Sequence, residues 1–234
     1  MASKVETKGA HAPDAFSSPG GRNGPSRIFL LSPANASGIR ARMLFNHGSQ
    51  FDLAIRVRNA GASLGEIYSF ISGLYFRGKL AYSQKFLNPP RDVSGIHIIT
   101  PAAGLIVPST RVKLDELQRI SSAEVDSKNR LYRGPLERDA ISLRNMIEKE
   151  TQVVLLGSIA TPKYVEPLLE IFGEQLVFPE EFVGRGDMSR GGLLLRSCGE
   201  ERQLNYIAIA GDVRHGKRPK KLAPRSRSSA SKHC

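Results

Sequence analysis

The chain has 234 residues, of which 40% are hydrophobic, and it carries a formal net charge of +12 with a pI near 10.0. Two cysteines exclude a disulfide framework, and no apolar run is long enough to span a bilayer, so we expect a cytoplasmic protein without membrane contact. The positive charge favours a polyanionic partner, with nucleic acid as the first candidate.

The two ends of the chain differ from its middle in composition. Residues 1–26 contain almost no large apolar side chains, which predicts a disordered arm. Residues 212–234 predict a disordered tail that is more basic, with eight Lys or Arg residues against one acid. The densest basic cluster in the tail consists of Lys217, Arg218, Lys220 and Lys221. This cluster either stays solvated or makes non-specific contacts with nucleic acid.

Between these ends, short apolar runs predict strands. The first is Arg27–Leu31, which ends where Pro33 forbids a continued ladder. The others are residues 96–99, 153–156 and 176–178. Helical spacing of apolar residues predicts helices at 39–45, 51–57, 64–87, 114–120, 136–150 and 162–172. Gly73 and Gly78 interrupt the helix predicted at 64–87, which predicts two helices or one with a break. The helix predicted at 136–150 begins after Pro135.

Two interpretations remain open for the segment after residue 183. Residues 193–195 and 206–209 form a hairpin around the turn at 199–201, or the first of these runs is helical. Helix follows naturally if Asp187 or Ser189 provides an N-cap.

The alternation of buried strands and helices predicts an α/β fold. We expect a mixed or mostly parallel sheet with helices on both faces, in a single compact domain at residues 27–211 with disordered termini. Ligand crevices in such sheets lie at the carboxyl ends of the strands. The turns at 32–35, 100–104 and 157–161 are predicted to meet there, together with a glycine-arginine segment at 183–196.

The glycine-arginine segment is the first candidate for anion binding. Arg185 and Arg190 are five residues apart and converge only on a glycine-bent turn, where both can contact phosphate. Gly186 and Ser189 lie between them and are predicted to contribute to the same site. The alternative is a glycine-rich turn with two solvated arginines.

Other ligand contacts are predicted from the strand-end turns and from one helix. They are Asn35, Gly104, Ser158 and Tyr75. The tyrosine ring can stack on a base, although a core position is the alternative. Ser158 can bind phosphate or cap the helix that follows it.

Asp187 and Ser32 are the candidate catalytic residues. Two neighbouring arginines favour the charged carboxylate of Asp187, which suits a base or an orienting group. Ser32 follows a strand, where a nucleophile or phosphate-binding hydroxyl can lie, but it is not in a Gly-x-Ser-x-Gly elbow. We predict no metal site and no cofactor, because no histidine pairs with a carboxylate at ligand spacing and no P-loop or Rossmann fingerprint is present.

Five segments resemble, in order, motifs of the YaaA family of peroxide-stress response proteins. They are Leu-Ser-Pro-Ala at 31–34, Phe-Ile-Ser-Gly-Leu-Tyr-Phe-Arg-Gly-Lys-Leu at 70–80, the Gly-Leu-x-x-Pro loop within 98–108, Val-Val-Leu-Leu-Gly-Ser at 153–158, and Arg-Gly-Asp-Met-Ser-Arg at 185–190. The chain departs from the family at Asn35, where the family has Lys, and at Phe182 and Val183, which replace a Lys-Lys pair.

The resemblance implies a compact α/β body with a positively charged cleft, DNA binding and a role in limiting oxidative damage. The favoured hypothesis is therefore a DNA-binding stress-response protein with an electropositive anion-binding crevice. One alternative is an enzyme that acts on a nucleobase or nucleotide, glycosylase-like or base-modifying, through Asp187, Arg185 and Ser32. Another is a non-catalytic scaffold with a basic tail.

Overall fold

The computed structural model of the protein describes residues 24–211 together with Gly216, Pro219 and Leu222. The predicted domain at 27–211 lies within these residues. The predicted nucleic-acid contacts at Lys217, Arg218, Lys220 and Lys221 lie outside them.

The described residues form eight strands in two sheets. The strands are β1 (Arg27–Leu31), β2 (Ala62–Ser63), β3 (Ile96–Ile99), β4 (Leu105–Ile106), β5 (Arg111–Val112), β6 (Gln152–Leu156), β7 (Leu176–Pro179) and β8 (Tyr206–Ala208). The larger sheet has the order β4-β3-β1-β6-β7-β8, in which β3, β1, β6 and β7 are parallel and the two edge strands are antiparallel. The predicted α/β class with a mostly parallel sheet is confirmed. β2 and β5 pair separately.

Eight helices surround the larger sheet. They are α1 (Ile39–Phe45), α2 (Asp52–Asn59), α3 (Leu64–Ser72), α4 (Leu74–Phe86), α5 (Leu114–Ile120), α6 (Arg130–Asn145), α7 (Pro162–Phe172) and α8 (Asp187–Gly199). Single 3-10 turns at Gly173–Gln175 and Glu180–Phe182 flank β7.

The strand order creates a topological switch point beside β1. The chain passes from β1 to β3 on one side and then crosses to β6 and β7 on the other side. Because such parallel crossovers are right-handed, this reversal places α4 and α6–α7 on opposite faces of the sheet. The loops that follow β1 and β6 therefore diverge at their shared edge, which is where open α/β sheets hold their ligands.

Strand β1 lies at the centre of the core. All five of its residues are buried, and Ile28, Phe29, Leu30 and Leu31 are completely inaccessible to solvent. It pairs along its whole length with β6, so the sheet fixes the position of the residues that leave both strands together.

Helices α4 and α8 approach each other closely through a pair of glycines. A Cβ atom at Gly78 would lie 2.8 Å from the carbonyl oxygen of Gly191, and a Cβ at Gly191 would lie 2.8 Å from the Cα of Tyr75. Side chains do not tolerate contacts this short, so both positions require glycine. The close approach places the first turn of α8 beside the residues of α4.

The predicted interruption of the 64–87 segment occurs at Gly73 and not at Gly78. Gly73 has a φ of 64° and separates α3 from α4, whereas Gly78 continues inside α4. A positive φ has little cost for glycine, which explains why the helix ends here.

The structure decides between the two interpretations of the segment after residue 183, and it corrects the predicted N-cap. Residues 193–195 lie in α8, so the hairpin is wrong and the helical alternative is confirmed. The N-cap is Gly186, and Asp187 is the first helical residue, so neither Asp187 nor Ser189 caps the helix. Thr161 occupies the N-cap of α7, so Ser158 is not a cap either.

Two other boundaries differ from the sequence prediction. Helix α6 begins at Arg130, because the Asn129 side chain accepts a hydrogen bond from the Leu131 N–H at 3.1 Å, and Pro135 therefore lies inside the helix. The predicted loop after β3 contains β4, which returns antiparallel after a turn at Gly104, where φ is 67°.

Within residues 24–211, none of the helices combines the length and the apolar character that a bilayer crossing requires.

Candidate functional site

A cavity of about 1010 Å³ opens at the carboxyl ends of the parallel strands. Its wall includes residues 32–37 after β1, Pro101 after β3, Ser158 after β6, and Asp187 at the start of α8. Each of the four segments that the sequence predicts to meet at the sheet edge thus contributes to one cavity. It lies at the switch point, where the loops after β1 and β6 diverge.

The cavity brings together part of the predicted set of site residues. Ser32, Asn35, Tyr75, Ser158 and Asp187 line it. Arg185, Gly186, Ser189, Arg190 and Gly104 are not among the described residues that line it.

Ser32 has the most distinctive environment among the lining residues. It follows the last residue of β1, and its side chain is 5% exposed. The Nζ of Lys79 lies 2.8 Å from the Ser32 Oγ and donates to the Ser32 carbonyl oxygen at 2.6 Å. Gly157 faces the same side chain, because a Cβ at that position would lie 3.1 Å from the Ser32 Cβ and 3.4 Å from its Oγ. A pair formed by a serine and a lysine therefore lies at the cavity wall.

Lys79 is buried to 1% exposure in the middle of α4. Its Nζ lies 4.5 Å from the ring centre of Tyr75 and 4.9 Å from that of Phe76. Burial lowers the pKa of this amine to about 7; the charge of Asp187 opposes the shift, and that of Arg190 adds to it. Removing an ammonium from water disfavours its charged form.

Two tyrosines and a phenylalanine supply the aromatic part of the wall. Tyr75, Tyr164 and Phe45 line the cavity together with small hydroxyl and amide side chains. Burial raises the pKa of both tyrosine hydroxyls. The Tyr75 hydroxyl has no hydrogen-bond partner among the described residues, although the charges of Arg190 and Asp187 act on it. Both tyrosines are largely buried, and the Nζ atoms of Lys79 and Lys163 lie over the rings of Tyr75 and Tyr164 respectively.

The two arginines of the glycine-arginine segment are directed into the protein. Arg190 is 6% exposed, donates to the Phe182 carbonyl oxygen and stacks over the Phe182 ring. Arg185 donates to the Glu181 carbonyl oxygen at 2.9 Å and to the Ser189 hydroxyl at 3.2 Å. These contacts hold the turn before α8, and they occupy donors that the sequence prediction assigned to phosphate.

Gly104 and Asn35 have structural roles in their own turns. A Cβ at Gly104 would lie 2.1 Å from the Asp139 carboxylate, which accepts a hydrogen bond from the Leu105 N–H. Asn35 accepts hydrogen bonds from the Ser37 N–H and hydroxyl, which closes the turn after β1. Asn35 also lines the cavity, whereas Gly104 is not among its lining residues.

The charged residues of the lining are two carboxylates and one ammonium group. Glu124 and Asp187 contribute carboxylates, Lys163 contributes an ammonium, and Lys79 lies beneath the surface. The Asp187 carboxylate is 3.8 Å from the Arg190 guanidinium. The lining is therefore not electropositive, in contrast to the crevice predicted from the net charge. No group of three or more His, Cys, Asp or Glu side chains within residues 24–211 is arranged to hold a metal ion.

Lys79 belongs to the site although the sequence prediction did not include it. The signal is its position on the buried face of α4, where Tyr75, Phe76, Lys79 and Tyr82 follow helical spacing. A lysine among aromatic residues at such spacing departs from the usual amphipathic pattern, since lysine is rarely buried without a partner.

The chain matches no protein-family model, no curated protein and no solved structure.

Proposed function

We propose that this protein binds nucleic acid and accepts one nucleobase or nucleoside unit in the strand-end cavity. The observation that carries this proposal is the lining itself, in which Tyr75, Tyr164 and Phe45 face serine and amide side chains. Aromatic faces stack on bases, and hydroxyl and amide groups bond to base edges and sugars. Small-ligand sites are about 300–1,000 Å³, so a cavity of about 1010 Å³ has room for a nucleoside.

The distribution of charge supports separate binding roles, with a base or sugar bound in the cavity and the phosphate backbone bound elsewhere on the chain. The lining has two carboxylates and one lysine, which favours an uncharged base or sugar over a phosphate group, because Glu124 and Asp187 repel anions. Contact with the phosphate backbone then falls to basic residues elsewhere on a chain of net charge +12. A DNA-binding stress-response protein, as the resemblance to the YaaA family implies, fits this arrangement.

Two variants of the full chain separate the cavity from the tail. Tyr164→Leu keeps an apolar side chain at the cavity wall but removes the ring. The second variant replaces the four tail residues Lys217, Arg218, Lys220 and Lys221 by glutamine. We expect Tyr164→Leu to abolish binding of adenosine or thymidine in calorimetry while retaining most of the affinity for duplex DNA. The tail variant should show the reverse pattern.

Two results would contradict the proposal. The first is the absence of nucleoside binding to the unmodified chain at millimolar concentration. The second is unchanged nucleoside binding in Tyr164→Leu. If DNA binding also resides entirely in the tail, the non-catalytic scaffold becomes the better description.

A second candidate is an enzyme that acts on a nucleobase or nucleotide. The observation that favours it is the contact of Lys79 with Ser32 at the cavity wall. Incubation of the protein with nucleosides and damaged oligonucleotides should then yield a product that Ser32→Ala does not form.

A further inference from the structure

We propose that Ser32 and Lys79 form a nucleophile and general-base pair that transfers the acyl group of an ester or amide. This inference rests on the proposed function, because it takes the strand-end cavity as the substrate site. It adds the class of reaction and a role for a residue beneath the cavity wall.

The geometry assigns different roles to the two side chains. Ser32 lines the cavity, whereas Lys79 is not among the described lining residues. Ser32 is therefore the residue of the pair at the cavity wall, and the amine of Lys79 lies 2.8 Å from its Oγ. Nucleophile and base must lie within hydrogen-bond reach, at about 2.6–3.2 Å, which this contact satisfies.

A second hydrogen bond fixes the orientation of the amine. Lys79 donates to the Ser32 carbonyl oxygen at 2.6 Å. That bond uses one N–H, so in the neutral amine the lone pair can face Oγ and accept the serine proton. Ser32 thus holds its own base in place through its backbone, and its own position is fixed by the hydrogen bond from its N–H to the Leu156 carbonyl oxygen at 3.1 Å.

Lys79 contacts the Ser32 carbonyl, the Ser32 hydroxyl and two aromatic rings, but it has no counter-ion among the described residues. No carboxylate of the described residues forms an ion pair with it. A buried ammonium without a counter-ion is costly, and such groups lose their proton instead. Burial accordingly lowers the pKa of Lys79 to about 7, which is suited to proton transfer near neutral pH. Asp187 and Arg190, both on α8, are the charged groups that act on it from the facing helix.

The reaction balances in two stages. In the first, the Ser32 proton moves to Lys79 Nζ, Oγ bonds to the carbonyl carbon, and the bond to the leaving oxygen or nitrogen breaks as Lys79 returns the proton to it. In the second, water gives a proton to Lys79 and attacks the acyl-serine. The carboxylic acid leaves, and the proton returns to Ser32. The net change is hydrolysis of an ester or amide by water.

The charges of the cavity favour acyl transfer over phosphoryl transfer. A phosphoryl group bound beside Ser32 would share the cavity with Glu124 and Asp187, and Lys163 is the single described basic residue of the lining. An ester or amide is uncharged and avoids this repulsion.

The first test is covalent labelling of the full chain with an alkyl fluorophosphonate, followed by peptide mapping. We expect the label on Ser32, and we expect its rate to rise with pH through about 7, because only neutral Lys79 accepts the proton. Lys79→Met should slow labelling at least about 100-fold, the usual contribution of a general base. Lys85→Met is the matched control, since Lys85 lies on the same helix but pairs with Glu201 at the surface. It should label at the unmodified rate.

The second test keeps the proposal falsifiable if Lys79→Met does not fold. Asp187 raises the pKa of Lys79, so Asp187→Asn should move the rise in labelling rate to lower pH. Turnover of p-nitrophenyl acetate, with an initial burst of nitrophenolate, should follow the same profile. A label on another residue, no label on the folded chain, or an unshifted profile in Asp187→Asn would each overturn the assignment.

The two proposals fail differently. Nucleoside binding without labelling of Ser32 would overturn the acyl-transfer pair and retain the nucleoside site. Labelling of Ser32 without nucleoside binding would retain the pair and refute the ligand class.

Discussion

At the scale of single residues, the buried amine of Lys79 links stability to pH. The unfolded chain holds this amine at its ordinary pKa of 10.5, whereas burial lowers the pKa to about 7 in the folded protein. Between these values the unfolded state binds a proton that the folded state does not. The free energy of unfolding therefore gains about 1.4 kcal/mol from this group for each unit of rising pH.

Lys79→Met removes this contribution, which gives the first prediction. We expect the variant to be most stable relative to the unmodified chain at pH 7 or below. The difference in free energy of unfolding between the variant and the unmodified chain should then fall by about 1.4 kcal/mol per pH unit up to about pH 10. Urea denaturation of both chains at several pH values measures the difference directly. A difference that stays constant over this range would show that the amine remains charged in the folded state.

Gly157 gives a second prediction at this scale, because it lies against the Ser32 side chain. Alanine at this position would bring a methyl group to 3.1 Å from the Ser32 Cβ and 3.4 Å from its Oγ. We expect Gly157→Ala to slow labelling of Ser32 by about tenfold, equivalent to about 1.4 kcal/mol, with a native circular dichroism spectrum. Gly134→Ala is the control, since a Cβ there meets no atom within 4 Å and should leave the rate unchanged.

At the scale of elements, the contact between α4 and α8 joins two parts of the cavity wall, since Tyr75 on α4 and Asp187 on α8 both line the cavity. Gly191 packs on the backbone of α4, whereas its neighbour Gly192 would place a Cβ no closer than 3.6 Å to the Leu222 side chain. The two positions lie in the same helix, so alanine has the same intrinsic advantage over glycine at both, up to about 1 kcal/mol.

The third prediction compares alanine at these two positions. Gly191→Ala should lower the free energy of unfolding by about 1–3 kcal/mol through overpacking, whereas Gly192→Ala should be neutral or stabilising. Thermal denaturation monitored by circular dichroism provides the measurement. Equal effects of the two substitutions would mean that the helices can separate without cost.

The positions of the strands and helices are also what the sequence predicts best. The strand Arg27–Leu31 and the helix Pro162–Phe172 agree with prediction because continuous apolar runs and helical spacing are local signals. The short edge strand Leu105–Ile106 is not predicted, because two residues form a strand only through their pairing with β3, which is a tertiary effect. Pro135 predicts a helix boundary, although the Asn129 cap upstream starts the helix before it.

The site is less predictable than the fold for a related reason. The strand-end location of Ser32, Ser158 and Asp187 follows from the α/β pattern alone. The inward direction of Arg185 and Arg190 does not, because it depends on the carbonyl groups of Glu181 and Phe182 that the turn presents. Their charge alone suggests that these arginines add to a basic surface, but their N–H groups donate to carbonyl oxygens of the protein itself.

At the scale of the whole molecule, charge is concentrated outside the cavity. The chain carries a net charge of +12, and the lining carries two carboxylates among its charged groups. Binding of DNA and binding of a nucleoside in the cavity should therefore differ in their dependence on salt concentration, since only the affinity for a polyanion depends steeply on salt.

The fourth prediction follows from this separation. The logarithm of the affinity for duplex DNA should fall linearly with the logarithm of salt concentration, and glutamine at Lys217, Arg218, Lys220 and Lys221 should flatten the slope by about 0.9 for each phosphate that the tail no longer neutralises. Nucleoside affinity should be nearly constant over the same salt range. Fluorescence anisotropy of labelled duplexes and calorimetry of nucleosides measure the two dependences. A steep salt dependence of nucleoside binding would place a phosphate-like contact inside the cavity.

The close contact of α8 with α4 also has a consequence for biosynthesis. Ser32 and Lys79 leave the ribosome early, but Asp187 and the glycine contact that closes their surroundings belong to one of the last elements of the domain. A nascent chain that ends before residue 187 lacks this wall, so the amine has no helix above it. The proposed pair of Ser32 and Lys79 thus lacks this neighbouring helix until translation of the domain is nearly complete.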